Sequence, residues 1–133
     1  MRDRRGFTLI EVLIVVLILG VLAQVAMATF ASFTARSAYT EVVLAAQGYK
    51  RAVDVCVLSY PIADCNAGIN GIPASNSSQA VDSVTVIEGV ITITPKNYKG
   101  VTSDKIYVLT PIGGGNGQKV SDWVDNCDTK QLC

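Results

Sequence analysis

Glu11 is the only ionisable side chain between Phe7 and Ala35. A lone acid inside so apolar a run is expensive in a bilayer core, which marks it as functional. Its neighbourhood suggests the chemistry. The leader Met1-Arg-Asp-Arg-Arg-Gly6 is short and charged, and the apolar run begins directly after it at Phe7. A break after Gly6 would free an amine on Phe7, four residues ahead of Glu11. That positive charge and the Glu11 carboxylate could then pair between neighbouring copies of the chain. A second reading gives Glu11 a smaller task, as an acid favoured in the first turn of a helix by the helix dipole.

The other residues capable of chemistry are four cysteines: Cys56, Cys65, Cys127 and Cys133. In a small exported domain an even number implies disulfides, with three possible connectivities. Short loops favour Cys56–Cys65 and Cys127–Cys133. A zinc site is the rival, but there is no histidine and no short CxxC knuckle. Catalysis has little to work with. The commonest general base is missing, and no nucleophile elbow, phosphate loop or usefully spaced carboxylate pair occurs. Gly113-Gly114-Gly115-Asn116-Gly117 lacks the following lysine and helix of a phosphate loop, and is expected to be a flexible hairpin turn. Asp122, Asp125 and Asp128 could suggest calcium, but their spacing is not that of an EF-hand and a solvated loop face is the simpler reading. No enzyme activity, cofactor or metal is therefore expected.

The elements that must position these residues follow from periodicity. From Val12 to Ala35, 24 residues carry no charge, enough for roughly 36 Å of helix, more than a bilayer core requires. Arg2, Arg4 and Arg5 predict a cytoplasmic amino terminus. The helix continues beyond the apolar run, with Ala38, Val42, Ala45, Tyr49, Ala52, Val53 and Cys56 recurring at threes and fours. One helix is expected from Phe7 to Leu58. Residues 59–80 are rich in turn formers and should form a surface loop. Four strand patterns follow: Val81–Ile87, Val90–Thr94 after a Glu88-Gly89 turn, Lys105–Thr110 ended by Pro111, and Lys119–Val124. Short links argue for an antiparallel meander, and the helix packed on it makes an α+β roll. Trp123 is expected between sheet and helix. Of the 133 residues, those after the apolar helix suffice for one small domain. Loss of residues 1–6 removes three Arg and one Asp, leaving 8 basic against 10 acidic side chains, a charge of −2. Such a chain has no strong electrostatic footprint for nucleic acid.

Arg4-Arg5-Gly6 followed by Phe7-Thr8-Leu9-Ile10-Glu11-Val12-Leu13-Ile14-Val15-Val16, then Gly20 and Leu22-Ala23, closely resembles the start of the type IV pilin family. The resemblance implies a peptidase that cuts between Gly6 and Phe7 and N-methylates Phe7. It implies that Thr8 and Glu11 serve assembly, and that cleaved subunits polymerise through their amino-terminal helices. On this reading 1–6 is a leader, 7–35 the membrane anchor and filament core, and 36–133 an outer globular domain. Implied partners are identical subunits, the prepilin peptidase/methylase, and an inner-membrane assembly platform with its cytoplasmic ATPase. The precursor would sit in the inner membrane and the fibre outside the cell. Adhesion, twitching motility or DNA uptake would be its work, with DNA or a host surface as further partner.

The short leader resembles type IVa major subunits. The alternatives are a minor pilin, a type II secretion pseudopilin, or a DNA-binding competence pilin using Lys96, Lys99, Lys105, Lys119 and Lys130. An ordinary single-pass anchor also fits the apolar run, but gives Gly6 and Glu11 no role. Many pilins carry a proline in the first half of the helix. Here the equivalent place is Ala26-Met27-Ala28-Thr29, which leaves Gly20 as the weak point.

Overall fold

A computed structural model describes residues 6–127 and 132–133. Its element order is one long helix, α1 (Leu9–Ser59), a 3-10 turn (Ile62–Asp64) and four strands: β1 (Val81–Ile87), β2 (Val90–Pro95), β3 (Tyr107–Ile112) and β4 (Asp122–Cys127). The strands form one antiparallel sheet in the order β1-β2-β3-β4, an α+β meander. The chain divides into two compact units between Phe33 and Thr34.

In the second unit the helix and the sheet bury their facing sides against each other. Helix residues Ala38, Tyr39, Val42, Ala46, Tyr49, Val53, Cys56 and Val57 join Val84, Val86, Ile91, Ile93, Tyr107 and Leu109 in one apolar core. β2 alternates as a half-buried strand must, with Ile91, Ile93 and Pro95 buried and Val90, Thr92 and Thr94 partly exposed. Among the described residues no polar or charged side chain is fully buried. The cohesion of this unit is therefore hydrophobic, with the cysteine links added to it.

The β1–β2 hairpin agrees with the expectation from sequence. Ile87 pairs with Val90 across Glu88 and Gly89, both at positive φ (50° and 78°), as a two-residue turn between right-twisted strands demands. The later strands lie further along the chain than expected. Pro111 does not end β3: it lies inside the strand opposite Trp123. The ladder to β2 stops at Leu109, so the missing N–H breaks no pairing on that side. β4 begins at Asp122, three residues later than expected, because Val120 instead packs against the turn at Gly114.

That turn is pinned rather than free. All five residues from Gly113 to Gly117 have positive φ, and the segment presses on the carboxyl end of α1. Gly117 N–H donates to Val57 O at 3.2 Å, supplying a partner to one of the carbonyls a helix leaves open at its end. A Cβ at Gly115 would lie 2.9 Å from the Ile62 backbone nitrogen, and φ there is +101°. Gly115→Ala is therefore expected to lower stability by about 2 kcal/mol through combined backbone strain and clash. Thermal melting checks this; an unchanged midpoint would mean the turn has slack that the packing does not suggest.

Candidate functional site

Gly6, Phe7 and Thr8 precede α1, and Phe7 is 82 % exposed. Thr8 starts the helix: its carbonyl accepts from Glu11 N at 3.1 Å and from Val12 N at 3.4 Å. Glu11 thus stands in the first turn, the acid of that end, where the exposed N–H groups favour a negative charge. From there the first unit presents an almost unbroken apolar surface. Every large hydrophobic from Phe7 to Phe33 is at least half exposed. The few polar side chains in its last turns fold back on the backbone: Thr29 Oγ1 donates to Val25 O and Ser32 Oγ to Thr29 O. This stretch lies in a helix long and apolar enough to cross a membrane. An exposed apolar surface of that size marks a membrane or protein interface.

The cysteines join as Cys56–Cys65 and Cys127–Cys133. The first link is wholly buried, and its Cys65 segment runs on to the β1–β2 turn. Gly89 N–H donates to Cys65 O at 3.0 Å, Ala67 N–H to Val86 O at 3.0 Å, and Glu88 N–H to Asn66 Oδ1 at 2.9 Å. The helix end and the hairpin tip are thereby fastened to one peptide. The second link lies nearer the surface, with Cys127 half-buried and Cys133 exposed. Cys127 Sγ lies 3.6 Å from the Tyr39 hydroxyl, and the Tyr39 ring meets Tyr107 edge-on at 6.4 Å.

Trp123 packs against the core from β4 and donates its indole N–H to Asp54 Oδ1 on α1 at 3.1 Å. Lys50 Nζ lies 5.6 Å from the ring centroid. These two helix partners escaped the sequence reading, since nothing local links residues 69 positions apart. Also unforeseen is Ser78, in the loop after the helix. It donates to Glu41 Oε1 at 2.8 Å while its carbonyl accepts from Lys96 Nζ at 2.9 Å.

Asp122 and Asp125 are exposed on β4, on a strand rather than a loop; Asp128 and Lys130 lie outside the described residues. Among the described residues no three acidic, histidine or cysteine side chains gather as a metal site would require. Burial and, secondarily, the Asp125 carboxylate push the Tyr107 hydroxyl above its usual pKa.

The sharpest titration effect lies on the β2–β3 connection. Asp104, fully exposed, is lowered to about 2, first by a hydrogen bond from Lys105 and then by one from Thr102; the Lys105–Asp104 pair is 2.8 Å apart. A lowered carboxyl stabilises the fold above its unfolded pKa of about 4 and loses that contribution as pH falls towards about 2. Solvent screening keeps it small. The Asp104 carboxyl carbon should titrate near pH 2 by NMR, and Lys105→Gln should move the midpoint up towards the usual range. A midpoint already near 4 in the unaltered chain would show the pair to be absent in solution.

Known proteins share this arrangement. Residues 1–23 match the family described as the prokaryotic N-terminal methylation motif. Prepilin peptidase-dependent protein D of Escherichia coli is 31% identical over 96% of this chain and 86% of its own. Type IV major pilin protein PilE1 of Neisseria gonorrhoeae is 33% identical over 98% of this chain and 75% of its own. Among solved structures, the major type IV pilin PpdD from enterohemorrhagic Escherichia coli superposes with a TM-score of 0.53 at 30% identity, covering 71% of this chain and 70% of that one. The amino-terminal motif, the long helix on a four-stranded antiparallel sheet and identity along nearly the whole chain agree: this protein belongs to the type IV pilin family.

Proposed function

We propose that this chain is the precursor of a type IV pilus subunit, of the major kind, that polymerises through its amino-terminal helix into a surface filament. The observation that carries the reading is the apolar surface from Phe7 to Phe33, broken by one acid four residues from the cleavage point. A fibre core needs a surface of this kind, since it must bury the helix of each subunit among its neighbours. Residues 1–6 act as the leader, 7–35 as anchor and then core, and 36–133 as the outer domain. The prepilin peptidase/methylase cuts after Gly6 and methylates Phe7. The subunit waits in the inner membrane, amino terminus inward, until an assembly platform driven by a cytoplasmic ATPase adds it to the fibre. Adhesion, twitching motility and DNA uptake are the functions such a fibre would serve.

Mass spectrometry of fibres sheared from the cell surface tests this. An abundant chain starting at methylated Phe7 with all four cysteines oxidised is expected. Processed chain confined to the membrane fraction would make this a minor or secretion-type subunit. An intact Met1 leader on every chain would overturn the reading.

A further inference from the structure

The charge-free run ends at Ala35, and the next side chain, Arg36, is exposed. In the second unit the fold brings another basic residue to this point. The β2–β3 connection forms a miniature hairpin in which Tyr98 and Val101 exchange both backbone hydrogen bonds, at 3.0 and 2.9 Å. Lys99 and Gly100 occupy its two turn positions, at φ of 48° and 87°. The hairpin sits on the helix: a Cβ at Gly100 would be 3.5 Å from the Ala35 methyl, and Val101 is buried in the core. Lys99 is thereby held at the tip of a turn that touches the last residue of the apolar run. Its ammonium lies 5.0 Å from the Tyr98 ring centroid, and the half-buried Tyr98 donates its hydroxyl to Gln79 Oε1 at 3.3 Å.

Two other lysines of the connection are already engaged, Lys96 with the Ser78 carbonyl and Lys105 with Asp104. Among the described residues, Arg36 and Lys99 make no ion pair. A tyrosine with two exposed basic side chains at the end of a bilayer-length apolar run is the composition of a membrane–water boundary.

We infer that Arg36 and Lys99, framed by Tyr98, form a collar that binds anionic phospholipid headgroups where α1 leaves the membrane, before the subunit is assembled. This rests on the membrane-anchored precursor proposed above. The collar would set how deep the subunit sits and hold the folded domain close to the bilayer. It opposes the leader in a definite way. The three leader arginines fix the orientation, and once they are removed the collar becomes the main basic feature beside the apolar run.

The test uses the full chain in nanodiscs of phosphatidylcholine alone or mixed with phosphatidylglycerol, read by hydrogen exchange. Amides 97–101 are expected to gain several-fold protection in the anionic discs, since a basic side chain at an anionic surface is worth about fivefold in partition. The gain should vanish in the joint variant Arg36→Gln with Lys99→Gln and at molar salt, and survive Arg36→Lys with Lys99→Arg. Equal protection in the two lipids, with residues 12–33 protected in both, would overturn the collar and leave the anchor standing. Free exchange at 12–33 in both discs would overturn the anchored precursor itself, and the collar with it.

Discussion

Glu11→Ala should reduce surface fibre at least tenfold while the precursor is still made, inserted and cut. The magnitude separates the two roles open to this carboxylate. As a favourable charge in the first turn of α1 it is worth about 0.3–1 kcal/mol, under one order of magnitude in any equilibrium. As the partner of the Phe7 amine on an adjoining subunit it does more. Without it that amine is buried without a counter-charge among apolar helices, at a cost of several kcal/mol per subunit. Each tenfold in association is about 1.4 kcal/mol, so the second role predicts near-complete loss. Glu11 lies outside the compact unit that begins at Thr34, so the melting curve and cysteine state of the variant should match the parent. Fibres at normal yield would sink the pairing and leave only the helix-end role.

The second large effect is expected at Tyr39. This side chain is completely buried, meets Tyr107 of β3 and reaches Cys127 of β4. It joins the helix to the two strands farthest along the chain. Tyr39→Ala removes an aromatic ring from a core with no buried polar side chain to take up the space, and should cost about 3–5 kcal/mol. For a unit of this size that is more than about 10 °C in melting temperature, out of a total stability of about 5–15 kcal/mol. Tyr39→Phe should cost much less, because the ring contact is kept. A truncation that melts within a few degrees of the parent would mean the core closes over the gap.

Tyr39 also shows where periodicity misleads. Reading threes and fours from Ala38 turns Ala38, Val42, Tyr49, Val53 and Cys56 inward, as they are, but also Ala45 and Ala52, which are only half-buried, and it misses the buried Tyr39, Ala46 and Val57. Alanine is apolar on every face, so in an alanine-rich helix it cannot say which face turns inward; tertiary packing decides. The β1–β2 hairpin was legible because valine, isoleucine and threonine alternate on either side of a turn that only certain residues fit. β4 was legible only in part, expected at Lys119–Val124 and found at Asp122–Cys127, because as an edge strand it is mostly solvated and its pattern of Asp, Val and Asn carries little alternation to fix its bounds. The methylation motif within residues 1–23 is the most readable part of the chain. Gly6, Phe7 and Glu11 are neighbours in sequence, so no folding is needed to bring them together. The Trp123–Asp54 bond and the Ser78 bridge are products of the fold alone.

The strand order carries one last consequence. A meander of four has two margins, β1 and β4, and a bare margin is a row of backbone donors and acceptors that another chain could extend. For a subunit of the fibre proposed above, which would meet copies of itself at high density, that is a hazard: growth along the sheet would give an amyloid-like ribbon in place of a helical fibre. Both margins are blunted. Part of the β1 margin is taken by the loop before it, where Ala67 N–H donates to Val86 O at 3.0 Å and Ser75 Oγ accepts from Val84 N–H at 3.1 Å, and the β1–β2 pairing is irregular at the exposed Asp82. β4 presents Asp122, Asp125 and Asn126 to solvent and ends in a cysteine link at Cys127. In the proposed fibre, self-association would thus be left to the greasy helix, with the sheet kept from competing with it.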